Sequence, residues 1–330
     1  MEIIATAPGR CGIVGNPSDI YGGSVLACTV QERSVCRLVT GTKYLEVTNE
    51  EERAVFGSRA DLAFQKDKLD VARAVLRWFE IEPSKADFSL HLQTAIPMRS
   101  GMAGSTAMLA TIVGALSRYL GIQMSPYHMA ETVRKVESRV MEIMCGLQDQ
   151  HMIVFGGLNF MDYYGKQDLQ QRDDEPLATI EPLGHFAESP PLLLAHTGIE
   201  HNSSAVHKSP RQRWLDGDPV VHQSYKRVAE LARRGKRAFV EQDWKTLGDM
   251  MNENHAIVSS LGGSGVENDH LIQVARDAGA WGAKLAGAGG GGTIIALTSE
   301  PSRLGEALIS AGAERILYPK PVQGLTVKVS

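Results

Sequence analysis

Ile96-Pro97-Met98-Arg99-Ser100-Gly101-Met102-Ala103-Gly104-Ser105-Thr106-Ala107 runs without a break into an apolar stretch with helical spacing. Small residues at Gly101, Ala103 and Gly104 let a ligand come close to the backbone. Ser105 and Thr106 put hydroxyls where the helix begins, and a helix start offers unpaired N–H groups and the positive end of its dipole. That chemistry suits phosphate oxygens, and the same residues also suit an ordinary capped helix. No Gly-Lys-Ser or Gly-Lys-Thr occurs in the chain, which disfavours a P-loop fold. Two further glycine-rich segments, one towards each end, weigh between these readings.

The first is Ala7-Pro8-Gly9-Arg10-Cys11-Gly12-Ile13-Val14-Gly15-Asn16-Pro17-Ser18-Asp19-Ile20-Tyr21-Gly22-Gly23. A strand is expected to end here in a glycine-rich loop. A long hairpin connection explains the glycines but not Arg10. Placed near a polar ligand, Arg10 favours developing negative charge and Asp19 accepts hydrogen bonds from hydroxyls. The second is Gly287-Ala288-Gly289-Gly290-Gly291-Gly292, which satisfies Gly-x-Gly-x-x-Gly. It follows a helix-like segment and opens the strand Thr293 to Leu297, the reverse of the dinucleotide-binding order of strand, loop and helix. Close approach of backbone to a ligand or a facing loop is the simplest use of these glycines.

Two carboxylates flank a helix end: Glu137, in a helix expected over Pro126 to Met144, and Asp149, before a second helical run. One could bind Mg²⁺, which prefers one or two carboxylates with phosphate oxygens and water. The other could hold or accept the proton of an attacking hydroxyl. Asp149 also suits a helix N-cap and Glu137 a solvated face, and Glu142 is a rival metal ligand.

A chain of 330 residues with 43% hydrophobic and 22% charged content has the makings of two globular domains. The net charge of −4 gives no electrostatic case for nucleic acid or an anionic membrane. Arg233, Arg234, Lys236 and Arg237 read as a solvated helix face. The start, Met1-Glu2-Ile3-Ile4-Ala5, has no basic leader, and Met108 to Leu116 falls short of the about 20 residues that span a bilayer. Cys11, Cys28, Cys36 and Cys145 are irregularly spaced and look like reduced thiols, and no zinc spacing occurs among the histidines. A cytoplasmic protein, monomer or homodimer, is expected.

Strands are expected at Glu2 to Ala7, Ser24 to Val30, Ser34 to Thr40, Tyr44 to Thr48, Asp87 to Thr94 and Gly156 to Tyr163, with helices at Lys68 to Phe79 and Ser105 to Tyr119. The polar stretch Gly165 to Pro191 is the expected domain connection. Helices near Val220 to Phe239, Trp244 to Leu261, Asn268 to Ala278 and Pro301 to Ala311 follow, with strands at Leu192 to His196 and Thr293 to Thr298. The alternation is α+β.

In this order, Ala7 to Asp19, Pro97 to Ala107 and Lys284 to Thr293 resemble the three motifs of the GHMP kinase superfamily, which includes galactokinase, homoserine kinase and mevalonate kinase. The resemblance covers nearly the whole chain. It implies an N-terminal βαβ-containing domain (1–180) and a ferredoxin-like C-terminal domain (190–330), with ATP and Mg²⁺ in the cleft between them. It implies ATP contacts at Pro97, Gly101, Met102, Ala103, Gly104, Ser105 and Thr106, and metal ligation by Ser105 and Glu137. By the same resemblance Asp149 is the catalytic aspartate, Arg10 its neighbouring cation, and Asp19, Gly22, Thr197 and Gly289 are substrate contacts. The first motif usually carries Glu-His where this chain has Asn16-Pro17, and Thr106 replaces a commoner serine.

Gly146 to Gln150, Gly156 to Asp162 and Arg211-Gln212-Arg213-Trp214-Leu215-Asp216-Gly217-Asp218 resemble glucuronokinases. Gln148 to Gln150, His196-Thr197-Gly198 and the 287–292 glycines also resemble heptose-7-phosphate kinases. Both branches phosphorylate a sugar at its anomeric hydroxyl, so the expected substrate is a small sugar, glucuronate first. Arg99, Lys208, Arg211 and Arg213 are candidates to meet its acidic group. An ATP-dependent decarboxylase of the same fold and a non-catalytic sugar sensor are the remaining alternatives.

Overall fold

Burial alternates along β1 (Glu2–Val14) as far as Ala7 and is then continuous, so the strand enters the interior as it proceeds. It pairs antiparallel with one long strand, β2 (Ser24–Thr40), from Glu2 opposite Val39 to Val14 opposite Leu26. The expected loop after Ala7 is therefore corrected: the glycine-rich motif stays in the sheet to Val14, with register shifts at Pro8/Arg10 and Gly12/Val14. The reason is steric. A Cβ on Gly9 would stand 2.9 Å from the Met102 carbonyl oxygen, and one on Gly12 would stand 2.4 Å from Asn16 Oδ1. Glycine admits neighbouring groups against the strand without breaking it.

The computed structural model describes residues 1–97, 100–166, 175–185, 188–198, 209–287 and 292–330. After β2 come β3 (Leu45–Thr48), β4 (Arg53–Phe56), α1 (Asp70–Trp78), β5 (Phe88–Thr94), α2 (Gly104–Tyr119), α3 (Pro126–Lys135), α4 (Gln148–Phe155), β6 (Leu158–Asp162) and β7 (Thr179–Pro182). The second half holds β8 (Leu192–His196), α5 (Pro210–Leu215), α6 (Pro219–Val240), α7 (Trp244–Ser260), α8 (Val266–Asp277), β9 (Gly282–Leu285), β10 (Thr293–Leu297), α9 (Pro301–Ser310), β11 (Arg315–Leu317) and β12 (Thr326–Val329).

An eight-stranded sheet runs β12-β1-β2-β5-β3-β4, with β6 also on β2 and β7 on β6. Only the β3–β5 pair is parallel among its described pairs. A four-stranded antiparallel sheet, β11-β8-β10-β9, belongs to the second half. Its central strands, β8 and β10, read as apolar runs because both faces are covered: Leu192 and Leu194 enter the main core, whereas Leu193 and Ala195 enter a second core with Ile272 and Leu308. The architecture is α+β. β12, within the expected C-terminal segment, crosses back to the first sheet and places Val329 opposite Ile3. Among the described residues no helix is long and apolar enough to cross a membrane.

The helix expected over Pro126 to Met144 ends at Lys135 and passes into a π turn, Val136–Val140. The widened turn accompanies an inward-facing Glu137, which is only 3% exposed and has two side-chain partners. Insertions of this kind tend to occur where a side chain must be re-aimed.

Candidate active site

Three distant stretches meet on the inner half of β1. The Arg10 N–H donates to the Met102 carbonyl (3.1 Å) and the Gly12 N–H to the Ala286 carbonyl (2.8 Å). A Cβ on Gly287 would lie 2.7 Å from the Gly101 carbonyl oxygen, so the two glycine segments also touch each other. The Arg10 side chain is 4% exposed and fully engaged. Its Nε donates to Asp149 Oδ1 (2.7 Å), Nη2 to Asp149 Oδ2 (2.8 Å) and Nη1 to the Gly101 carbonyl (2.5 Å). Burial pulls the Arg10 pKa down, but the Asp149 pair outweighs it and the net direction is up.

Asp149 is not an N-cap. It is the second residue of α4, and its side chain, 26% exposed, goes to Arg10. The capping falls instead to Asp19, a residue from the first motif, whose Oδ2 accepts from the Leu147 (2.7 Å) and Gln148 (3.0 Å) N–H groups. Gly146 leaves room for this, since a Cβ there would sit 2.2 Å from Asp19 Oδ2. Burial raises the Asp19 pKa, the two N–H bonds oppose that, and the Asp149 charge adds to it. The same α4 start is held from its other side: the Leu147 carbonyl accepts from the Tyr163 hydroxyl (3.2 Å) and lies 2.8 Å from His151 Nδ1. Burial lowers His151 to about 4, so it is neutral at pH 7. His151 and Tyr163 carried no sequence motif.

At the loop before α2, Gly101 (φ +74°) and Ala103 (φ +61°) both take left-handed backbone, and no side chain caps the helix. The N–H groups of Gly104, Ser105 and Thr106 donate to nothing among the described residues. The two hydroxyls part company. Ser105 is exposed, whereas Thr106 is buried and donates to Glu137 Oε1 (2.7 Å). Gln150 Nε2 donates to Glu137 Oε2 (2.5 Å). Burial pushes the Glu137 carboxyl up to about 7, against the pull of these two donors. Glu142 is exposed, whereas Glu137 is buried against the start of α2. Pro97 supports the turn by accepting from the Ser100 hydroxyl (2.7 Å).

Asn16, where the Glu-His of the first motif is missing, is 2% exposed and structural. Its Oδ1 accepts from Lys284 Nζ (2.7 Å) and its Nδ2 donates to the Gly287 carbonyl (2.5 Å). Asn254 clamps the same bend from α7, accepting from the Gly15 N–H (2.8 Å) and donating to the Asn16 carbonyl (3.1 Å). Lys284 Nζ also reaches the Leu285 carbonyl (2.5 Å), and burial without a carboxylate partner lowers its pKa to about 7. Lys284 and Asn254 are the residues that sequence reading missed in the coupling of the two ends of the chain. The Gly22 N–H is used on the Asp19 carbonyl (3.1 Å), closing the turn, and the Thr197 N–H on the Gly292 carbonyl (2.6 Å). Gly289, Arg99 and Lys208 lie outside the described residues.

Residues 68–157 match the GHMP kinases N terminal domain and residues 236–314 the GHMP kinases C terminal. Glucuronokinase 1 of Arabidopsis thaliana is 28% identical over 325 residues, which cover 89% of this chain and 85% of that protein. A mevalonate kinase of Thermococcus sibiricus is 26% identical over 349 residues, covering 99% of each. Lactococcus lactis galactokinase, solved with galactose, superimposes with a TM-score of 0.80 at 17% identity, over 98% of this chain and 95% of that one. At that identity the likeness speaks to the fold.

Proposed function

Since the chain belongs to the GHMP kinase family and is an ATP-dependent kinase, we propose that it transfers the γ-phosphoryl group to the anomeric hydroxyl of a sugar, glucuronate first. The observation that carries this reading is the Arg10 guanidinium, which grips both oxygens of Asp149 and the Gly101 carbonyl at once. It ties a partly exposed carboxylate to a loop whose N–H groups await an acceptor. Phosphoryl transfer needs alignment and charge neutralisation more than covalent help. In this reading the phosphates of ATP lie over Gly101 to Thr106, with Pro97 shaping the turn. Asp149 orients the sugar hydroxyl and takes its proton, and Arg10 fixes the carboxylate in plane.

Glu137 fits a divalent cation. Among the described residues both its oxygens receive neutral donors, and burial pushes its pKa to about 7 while the charges of Asp149 and Arg10 act on it in opposite directions. With the exposed Ser105 hydroxyl it would hold Mg²⁺, which supplies charge neutralisation on the phosphate oxygens. Asp19, which takes no hydrogen bond on Oδ1 among the described residues, has an oxygen left for a substrate hydroxyl. The backbone of Gly22 and Thr197 would complete the substrate wall between the 1–180 and 190–330 segments.

The Arabidopsis relative and the Arg211 to Asp218 run support glucuronate, and the full-length mevalonate kinase match supports a second acceptor. An ATP-consumption assay over glucuronate, glucose, galactose, a heptose 7-phosphate and mevalonate decides between them. Glucuronate is expected to give a 1-phosphate and ADP, and Asp149→Asn to cut turnover about 100-fold or more with ATP binding kept. Faster turnover of mevalonate, or full activity in that variant, overturns the reading.

A further inference from the structure

α5 is a six-residue helix laid over the turn that carries Asp19. Trp214 packs on Tyr21 at 4.4 Å between ring centroids, and Tyr21 stacks on Tyr225 of α6 at 4.1 Å. Trp214 is sandwiched further by His222 (3.7 Å, 10° between planes), whose Nε2 lies 3.0 Å from the Trp214 carbonyl. Asp218 finishes the lock: it caps α6 through the Val220 N–H (2.9 Å) and accepts from Arg213 Nε (2.9 Å). This is an elaborate anchor for so short a helix, and it fixes the position of whatever α5 carries.

What α5 carries, besides Arg213, is Arg211. Its Nε and Nη1 are buried and have no hydrogen-bond partner among the described residues. Its charge acts on the Tyr21 phenol, two residues from Asp19. Leaving buried guanidinium N–H groups without acceptors is costly, and such orphans call for a specific explanation. The other arginines near the site need none: Arg10 is filled by Asp149 and Gly101, and Arg213 by Asp218.

We propose that Arg211 is the receptor for an anionic group on the acceptor substrate, a carboxylate first, bound beside the Tyr21–Trp214 wall. The proposal rests on the kinase reading above for its substrate, but not for its test. A planar guanidinium matches a carboxylate in two-point geometry along its Nε/Nη2 or its Nη1/Nη2 edge, and either edge would satisfy one of the two orphaned nitrogens. A sugar phosphate offers the same chemistry, so the substrate panel must separate the two sources.

Calorimetric titration without ATP separates this proposal from the kinase reading, because it reads binding alone. Glucuronate, glucose and a heptose 7-phosphate are titrated into the wild type, Arg211→Ala and Arg211→Lys. The wild type is expected to bind glucuronate more tightly than glucose. Arg211→Ala should weaken glucuronate by about 10- to 100-fold, as loss of hydrogen bonds to a charged group implies, and leave glucose unchanged. Arg211→Lys should restore part of the loss. A preference for the heptose phosphate that depends on Arg211 supports the receptor and assigns the anion as phosphate. Because the buried nitrogens have no partners to lose among the described residues and are costly to leave unpaired, Arg211→Ala should at least keep the wild-type melting temperature. Equal glucuronate binding in wild type and Arg211→Ala, or equal weakening of glucose, overturns the proposal. Absent turnover with intact Arg211-dependent binding overturns only the kinase reading.

Discussion

Arg10, a residue of β1, and Lys284, which reaches the Gly12 carbonyl of that strand, are two buried cations handled in opposite ways. Arg10 faces a carboxylate and its pKa rises; Lys284 faces, among the described residues, amide and carbonyl oxygens and its pKa falls to about 7. Arg10 joins chemistry-bearing groups, Asp149 and the loop before α2. Lys284 joins backbone to backbone through Asn16. The difference teaches that burial alone does not set the state of a charge: a carboxylate partner holds a buried cation charged, whereas amide and carbonyl oxygens leave it poised to lose its proton.

Breaking the first member should have the largest effect. Arg10→Met leaves Asp149 and the Gly101 carbonyl without their donor, and severing a buried pair costs about 3–5 kcal/mol. Asp149 keeps some exposure and can hydrate, so the lower end, about 3 kcal/mol, is expected in urea unfolding, with turnover falling more than ATP affinity. A variant as stable and active as the wild type would dissolve the comparison. The second member should show itself in pH dependence. With Lys284 near 7 in the fold and near 10.5 unfolded, the unfolded chain binds more protons between those values, so stability rises with pH across that window. Lys284→Met should flatten this rise in urea midpoints measured from pH 7 to 10, whereas Arg10→Met should not, because arginine does not titrate there. An unchanged slope would show that Lys284 stays charged. The smallest effect belongs to Ala103, held at φ +61° in the loop that Arg10 grips. Ala103→Gly should raise the melting temperature by the equivalent of about 0.5–1 kcal/mol without altering turnover; lost turnover would mean that the strained backbone itself aims the N–H groups.

The glycine segments were legible because close backbone approach leaves few residue choices, and they pointed to the place where Met102, Ala286 and β1 meet. Strand limits were less so. Gly9 and Gly12 look like loop residues in sequence, yet serve as clearance for Met102 and Asn16 against a continuing strand. The hydroxyl pair was legible in kind but not in detail: Thr106, not Ser105, donates to Glu137, because the π turn after Lys135 brings the carboxylate under the first turn of α2. The Asp19 cap on α4 spans 128 positions, a distance over which no local pattern carries information. Asn16 was legible only as a departure from a motif. Its partner, Lys284, gives that departure a reason.

The pairing of β12 with β1 bears on how the molecule is made. The strand that completes the first sheet, Thr326–Val329, is translated after every helix of the second half, and Ser330 and Glu2 exchange hydrogen bonds through their main chains. Until residues 326–330 leave the ribosome, one side of β1 is an open edge, the kind of surface on which chains mispair. The two halves therefore cannot mature in strict succession.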